Sequence, residues 1–210
     1  MKTRALLLAL AALPMGAQPF TFGAKIGFSA DKLLTSTDSS TLSYYTYTNR
    51  LLIGPTGELR LPFGLGVEVD ALYRHYNFQS QGAIAPGGTL TTHGATGDWE
   101  FPVLAKYRFP AKLVRPYVDA GVAWDTLQGY WQTETVVSGT PIGPPANLNQ
   151  PVHNSTTGFV LGGGIDVHAP YVHVSPEIRY THWGSPHFTS SGGGFSSNQN
   201  QVEVMFGITF

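Results

Sequence analysis

The sequence predicts an all-β chain folded as an eight-stranded antiparallel up-and-down transmembrane β-barrel, on three observations. Eight segments alternate apolar with small or polar residues at period two, their charges collect on the face opposite the apolar one, and short connections alternate with long polar ones. Composition agrees. Of 210 residues only 12% are charged, while 12% are aromatic and 25 are Gly, against roughly 25% charged in an ordinary soluble domain. The formal net charge of -1 gives no basic surface for nucleic acid, and the lack of Cys excludes disulfides, Cys-ligated zinc, thiol catalysis and a lipid-bearing Cys.

Residues 1–17 read as a cleaved signal peptide. Lys2 and Arg4 precede the apolar run Ala5–Leu13, and Pro14-Met15-Gly16-Ala17 closes it with small residues. Residues 18–210 then form a single barrel domain. No other stretch approaches the roughly 18–20 apolar residues of a spanning helix, so a membrane must be crossed by strands.

Each strand follows from its alternation. Phe20, Phe22, Ala24, Ile26 and Phe28 alternate with Thr21, Gly23, Lys25 and Gly27. Arg50–Leu61 is the weakest, with Leu51, Ile53, Leu59 and Leu61 against Thr56, Glu58 and Arg60. Leu65 to Tyr73 alternates with Gly66, Glu68, Asp70, Leu72 and Arg74. Trp99 to Phe109 alternates with Glu100, Pro102, Leu104, Lys106 and Arg108, and Val118 to Trp124 with Asp119, Gly121 and Ala123. Phe159 to Val167 carries Gly162, Gly164 and Asp166 on its other face; Val172 to Tyr180 carries His173, Ser175, Glu177, Arg179 and Thr181. The last strand sets Val202, Val204, Phe206, Ile208 and Phe210 against Gln201, Glu203, Met205, Gly207 and Thr209.

The connections Pro62–Gly64, Pro110–Arg115 and His168–Tyr171 are short; Ser29–Asn49, Gln79–Gly97, Asp125–Thr157 and Gly184–Asn200 are long and rich in Ser, Thr, Gly and Asn. A meander puts the short turns and both termini at one end, the periplasmic one, and the four long loops at the extracellular end. Across the third turn, pairing Val167 with Val172, Ile165 with Val174 and Asp166 with His173 keeps both faces consistent.

The charged face decides between a soluble and a membrane barrel. Lys25, Glu58, Arg60, Glu68, Asp70, Arg74, Glu100, Lys106, Arg108, Asp119, Asp166, Glu177, Arg179 and Glu203 all share the face opposite the one that holds Phe, Trp, Val and Ile. A soluble barrel would have to bury these six basic and eight acidic groups beneath an apolar exterior, whereas a membrane barrel turns them inward and gives the apolar face to lipid. Eight strands leave an interior just wide enough for side chains. Arg74, Lys106, Arg108 and Arg179 are therefore expected to pair with Glu68, Asp70, Glu100 and Glu177 and to plug it. On the lipid face, Phe20, Phe22, Tyr107, Phe109 and Phe210 cluster towards the turns and Phe28, Tyr73, Trp99, Trp124, Phe159 and Tyr180 towards the loops, as two interfacial belts do. Pro55, Pro102 and Pro176 fall inside strands, where bulges or missing hydrogen bonds are expected, above all at Pro55.

At this point the residues resemble a known family. The ending Val202-x-Val204-x-Phe206-x-Ile208-x-Phe210 looks like the terminal strand of bacterial outer-membrane proteins, which the barrel-assembly machinery reads. Trp99-Glu100-Phe101-Pro102 with Lys106-Tyr107-Arg108-Phe109, Arg115-Pro116-Tyr117-Val118 with Gly121, and Ser175 to Tyr180 resemble the outer-membrane β-barrel domain family related to the OmpA and OmpX transmembrane domains. The resemblance implies insertion from the periplasm of a Gram-negative bacterium as a monomer among outer-membrane lipid and lipopolysaccharide. Because the chain ends at the eighth strand, no peptidoglycan-binding domain is expected to follow.

The expected function is non-enzymatic, structural or surface-interacting, with no cofactor and an unknown extracellular ligand. Tyr44, Tyr45 and Tyr47 in the first loop and Tyr130 and Trp131 in the third have the composition of a recognition surface. The alternative is a narrow pore or a lateral path for small apolar solutes, as in OmpW-type barrels. A lipid A-modifying enzyme is weaker: His182 has outward parity, but the deacylase pattern wants Ser two residues later, where Gly184 stands, and Ser185 has the other parity. His93, His153 and His187 share the loop rim with His182 without a His-x-x-x-His spacing and read as exposed loop histidines rather than metal ligands.

Overall fold

The computed structural model describes residues 19–30, 34–36, 42–84, 88–137, 140–141, 146–148, 155–169, 172–186 and 195–210. Eight strands form the wall: β1 (Phe20–Ser29), β2 (Leu42–Arg60), β3 (Leu65–Asp70 continued by Leu72–Ile84), β4 (Gly88–Arg108), β5 (Val114–Val137), β6 (Thr157–Ala169), β7 (Val172–Trp183) and β8 (Asn200–Thr209). Each pairs antiparallel with the next, and β8 pairs back onto β1 from Gly23↔Thr209 to Ser29↔Glu203, so the sheet is a closed eight-stranded antiparallel barrel without an edge. Short pieces decorate the loop end: Leu34–Ser36 pairs with Phe195–Ser197, and Thr140–Pro141 and Ala146–Leu148 pair with β5.

The wall is apolar outside and polar inside. Phe22, Ile53, Val69, Trp124, Phe159, Leu161, Ile178 and Phe206 are all exposed, whereas Lys25, Glu68, Arg74, Glu177, Arg179 and Glu203 are buried. This inversion is stable only if hydrocarbon surrounds the wall. Rings meet along the outer face, Tyr73 with Trp99 (centroids 5.2 Å apart), Tyr107 with Phe109 (5.1 Å) and Phe159 with Tyr180 (6.0 Å).

Two expectations change, and a third, on the prolines, is met. The segments read as loops are in large part strand: β2 begins at Leu42, β3 runs to Ile84, β4 begins at Gly88 and β5 runs to Val137. A span needs about 9–11 tilted residues, so β2, β4 and β5, with 19, 21 and 24 residues, extend well past the apolar belt. Without an apolar solvent on one face the alternation vanishes there, although Thr and Tyr still favour extended backbone.

The third turn is tighter than expected by two residues: Ala169↔Val172, His168↔His173 and Val167↔Val174 are the pairs found. A shift of two preserves parity, so no side chain changes face, and His173 still reaches Asp166, at 3.1 Å.

The prolines behave as gaps more than bulges. Ala71 drops out of β3, and continuing the register places it opposite Pro55 on β2 and Phe101 on β4, with Pro102 adjacent. The Ala71 N–H donates to the Pro55 carbonyl at 3.0 Å. Pro176 pairs with Phe206 on β8, but the pair it would make with Ile165 on β6 is missing. The register shift of β2 lies elsewhere, between Thr48 and Leu52, where three residues oppose His75.

Candidate functional site: the charged lumen and the projecting sheet

Strand alternation sends all fourteen charged residues singled out above to the lumen, twelve of them buried and Arg60 and Arg108 partly so. They sort into clusters. In the central one, Lys25 of β1 contacts Glu68 on β3 and Glu177 on β7 (2.9 Å), with Asp70 3.5 Å away. Arg179 of β7 reaches Glu177 (2.7 Å), Asp70 (2.9 Å) and Glu68 (3.3 Å), and Lys106 closes on the other oxygen of Glu68. Three cations thus meet three carboxylates contributed by opposite parts of the wall. Thr56 donates to Asp70 (2.6 Å) and Tyr117 to Glu177 (3.0 Å), which fills remaining acceptor sites.

At the turn end, Arg108 grips Glu58 through both terminal nitrogens and Asp166 through Nε at 3.1 Å. Arg108 was expected to serve the central carboxylates; its position at the end of β4 puts it level with Glu58 and Asp166 instead. Arg60 sits farther out, 3.8 Å from Asp166 and 3.9 Å from Glu58. Towards the loops, Arg74 bridges Glu100 (2.6 Å) and Glu203.

Two further carboxylates point into the lumen. Asp98 and Asp125 are also buried, and they lie opposite Arg74 and Glu100 in the ladder. Continuing the parity of Glu100 and Ala123 by one step would have found both. Asp125 also holds the start of β6: its carboxylate accepts from the Thr156 N–H at 2.8 Å and its own N–H donates to the Thr156 carbonyl at 3.1 Å.

Inward glycines supply the room for these long side chains. A Cβ on Gly66 would stand 2.7 Å from Glu58 and 3.4 Å from Arg108, and one on Gly164 would stand 2.7 Å from the Tyr117 hydroxyl. On the loop side of the central cluster apolar side chains share the lumen with these charges, Leu104, Ala123, Val160 and Trp183 in one cluster and Leu52, Leu72 and Met205 in another. Those seven side chains have between 0 and 1% of their surface exposed.

The aromatic loop residues lie on strand backbone. Tyr44, Tyr45 and Tyr47 are in β2 opposite Ser80, Gln79 and Asn77, and Tyr130 and Trp131 are in β5 opposite Ala95 and Gly94. Tyr47, Asn77, Ala95 and Tyr130 form one transverse row across β2–β3–β4–β5, so these loop aromatics share one sheet. Val202, Val204, Phe206 and Ile208 run along β8 with outward parity, and the exposed Phe210 follows its last residue. His182 donates from Nδ1 to the Asn200 side-chain oxygen at 2.8 Å, while Ser185 bonds Thr156 at 2.8 Å, so each engages a partner other than the other. His93 lies in β4 opposite Gln79 and Gln132; His153 and His187 lie outside the described residues. Among the described residues no group of His and carboxylates has the geometry of a metal site.

A closed barrel with a charged lumen and an apolar outer wall defines an integral β-barrel membrane protein. The chain belongs to the outer membrane protein beta-barrel domain family, whose model matches residues 4–210, and the bacterial outer membrane is that family's place. Among solved structures it is similar to the outer membrane protein OprG of Pseudomonas aeruginosa, at 12% identity and a TM-score of 0.50 over 91% of this chain and 94% of that one. It is also similar to Neisserial surface protein A, at 15% identity and 0.47 over 92% and 97%, and to the attachment invasion locus protein Ail of Yersinia pestis, at 10% and 0.41 over 91% and 96%. At such identities the likeness concerns the fold. No curated protein matches the chain significantly.

Proposed function

We propose that this is a non-enzymatic monomeric barrel whose function is exerted outside the cell by the projecting β2–β5 sheet. In this reading residues 1–17 are removed as a signal peptide, both termini and the three short turns are periplasmic, and the barrel-assembly machinery reads the β8 strand. Lipopolysaccharide surrounds the wall. The observation that carries the reading is the length of β2, β4 and β5: strands of 19, 21 and 24 residues hold a sheet well clear of the belt, with Tyr47 and Tyr130 in one row. Such a sheet is costly to build unless it meets a ligand. The filled lumen beneath it supports a structural barrel over a conduit.

The test shortens the projection by joining Thr48 to Tyr76 and Thr96 to Gly129 through tight turns. The shortened barrel is expected to keep its heat-modifiable migration and membrane permeability and to lose surface adhesion. Adhesion unchanged from the full-length chain would refute the reading. Lipid A from cells carrying the protein is expected to keep all its acyl chains, as a non-enzymatic barrel requires.

A second reading, lateral passage of small apolar solutes, is supported by one observation. The apolar lumen cluster Leu52, Leu72 and Met205 adjoins the gap in the ladder at Ala71, between Pro55 and Pro102. Faster uptake of a small apolar dye by cells expressing the protein, abolished by Leu72→Glu, would favour it.

A further inference from the structure

Between the β2–β3 turn and the β4–β5 turn the rim opens into a cleft of about 670 Å³. One side is cationic, lined by Arg60, Arg108 and Arg115; the other is apolar, lined by Phe63, Leu65 and Tyr107, all three exposed on the outer wall. Arg108 is consumed by Glu58 and Asp166. Arg60 is held more loosely: its carboxylate neighbours stand 3.8 and 3.9 Å away, its Nη1 lies 3.4 Å from His173 Nε2, and its buried Nε has no hydrogen-bond partner among the described residues. Arg115 makes no ion pair among the described residues, and its Nε donates to the Ala111 carbonyl at 3.0 Å, which leaves two terminal nitrogens for a ligand. The two turns contain Lys112 and no Asp or Glu, so nothing in them competes for the cations.

The apolar half settles which anion fits. Phe63 is 92% exposed and held at φ 65, a left-handed backbone that a bulky side chain adopts at a cost. Leu113, in the facing turn, is 72% exposed. Large apolar groups beside guanidinium groups at a barrel rim match the boundary between headgroups and acyl chains. We propose that this cleft binds an anionic phospholipid, its phosphate held by Arg115 and Arg60 and its acyl chains lying along Phe63, Leu65 and Tyr107. A free phosphate would leave the apolar half empty. A zwitterionic lipid would bring an ammonium group to two turns that carry no carboxylate, the nearby Glu58 and Asp166 being buried against Arg108. The proposal rests on the reading that the short turns face the periplasm, where the inner leaflet supplies phospholipid.

The test is native mass spectrometry of the folded barrel released from detergent micelles, titrated separately with dioleoyl phosphatidylglycerol, dioleoyl phosphatidylcholine and inorganic phosphate. A one-to-one phosphatidylglycerol adduct is expected. Arg115→Gln, an exposed turn substitution, should weaken it by about tenfold, the loss of one charge-assisted contact. The heat-modifiable gel shift shows that the variant is folded, and Phe63→Ser should weaken the adduct independently. Equal adducts with phosphatidylcholine, displacement by inorganic phosphate, or indifference to Arg115→Gln would overturn the proposal. Labelling of a Lys112→Cys variant in intact cells tests the orientation separately: modification by an impermeant reagent would place the turns outside and refute the periplasmic reading whatever the lipid titration shows.

Discussion

Lys25 on β1 crosses the lumen to Glu177 on β7, 2.9 Å away, passing over the intervening strand β8 at Gly207. Its ammonium also meets Glu68 and lies 3.5 Å from Asp70. Replacing it by Met leaves those three carboxylates with Lys106 and Arg179 alone. Lys25→Met is expected to destabilise the barrel by about 3–5 kcal/mol, the cost of breaking a buried ion pair from one side. Urea unfolding in lipid vesicles measures it, and adding Glu177→Gln should recover part of the loss, as coupled residues do.

Gly207 makes that crossing possible, and graded substitution should show it. A Cβ there would stand 2.5 Å from the Ser175 hydroxyl and 3.5 Å from Cγ and Cε of Lys25. Gly207→Ala requires only that Ser175 rotate and should cost about 1 kcal/mol, while Gly207→Leu must push the Lys25 stem aside and should cost about 3 kcal/mol or more. Equal costs in the same unfolding assay would show that the Lys25 path does not depend on this glycine.

Asp119 should respond with the opposite sign. It is buried opposite Lys106 in the ladder, yet Lys106 turns to Glu68 and neither Asp119 oxygen has a hydrogen-bond partner among the described residues. Asp119→Asn removes a poorly compensated buried charge and is expected to stabilise the barrel by about 1 kcal/mol. A loss comparable to that of Lys25→Met would mean that the Asp119 charge is compensated.

These cases show what was legible in the sequence. Period-two alternation placed Lys25, Glu68, Glu177 and Asp119 in the lumen because one residue of slip would have put a charge into lipid. It could not say which partners they choose. Glu68 and Glu177 lie on β3 and β7, far apart in sequence, and the shear of the barrel rather than the sequence spacing brings both to Lys25. Where lipid no longer constrains one face, as from Gln79 to Gly97, the pattern faded and paired strand read as loop. The same weakness at strand ends hid Asp98 and Asp125, although their parity was available.

The β2–β3 turn carries a conformational cost that can be relieved. Phe63 and Gly64 have φ of 65 and 81, the left-handed region. Asn tolerates that region better than Phe, so Phe63→Asn should stabilise the barrel in detergent by about 1 kcal/mol, whereas Gly64→Ala should destabilise it by at least that much. A Cβ at Gly64 would also press on the Arg108 carbonyl. In vesicles the benefit of Phe63→Asn should shrink, because the bilayer interface rewards the exposed ring it removes.

The lumen should not conduct. Along β4 from the turn end the inward residues are Arg108, Lys106, Leu104, Pro102, Glu100 and Asp98, and all but Arg108 are buried. The central cluster joins side chains of β1, β3, β4 and β7, and Trp183 packs with Leu104 and Val160 on its loop side. An ion would have to displace several paired charges and then pass buried apolar side chains. Purified protein in planar bilayers is therefore expected to show no stable open level. Truncating the centre with Lys25→Ala, Glu177→Ala and Arg179→Ala together leaves only Lys106 with Glu68 there while keeping the wall hydrogen bonds, and should produce intermittent openings. A steady, large conductance from the unmodified barrel would be incompatible with a lumen closed by these residues.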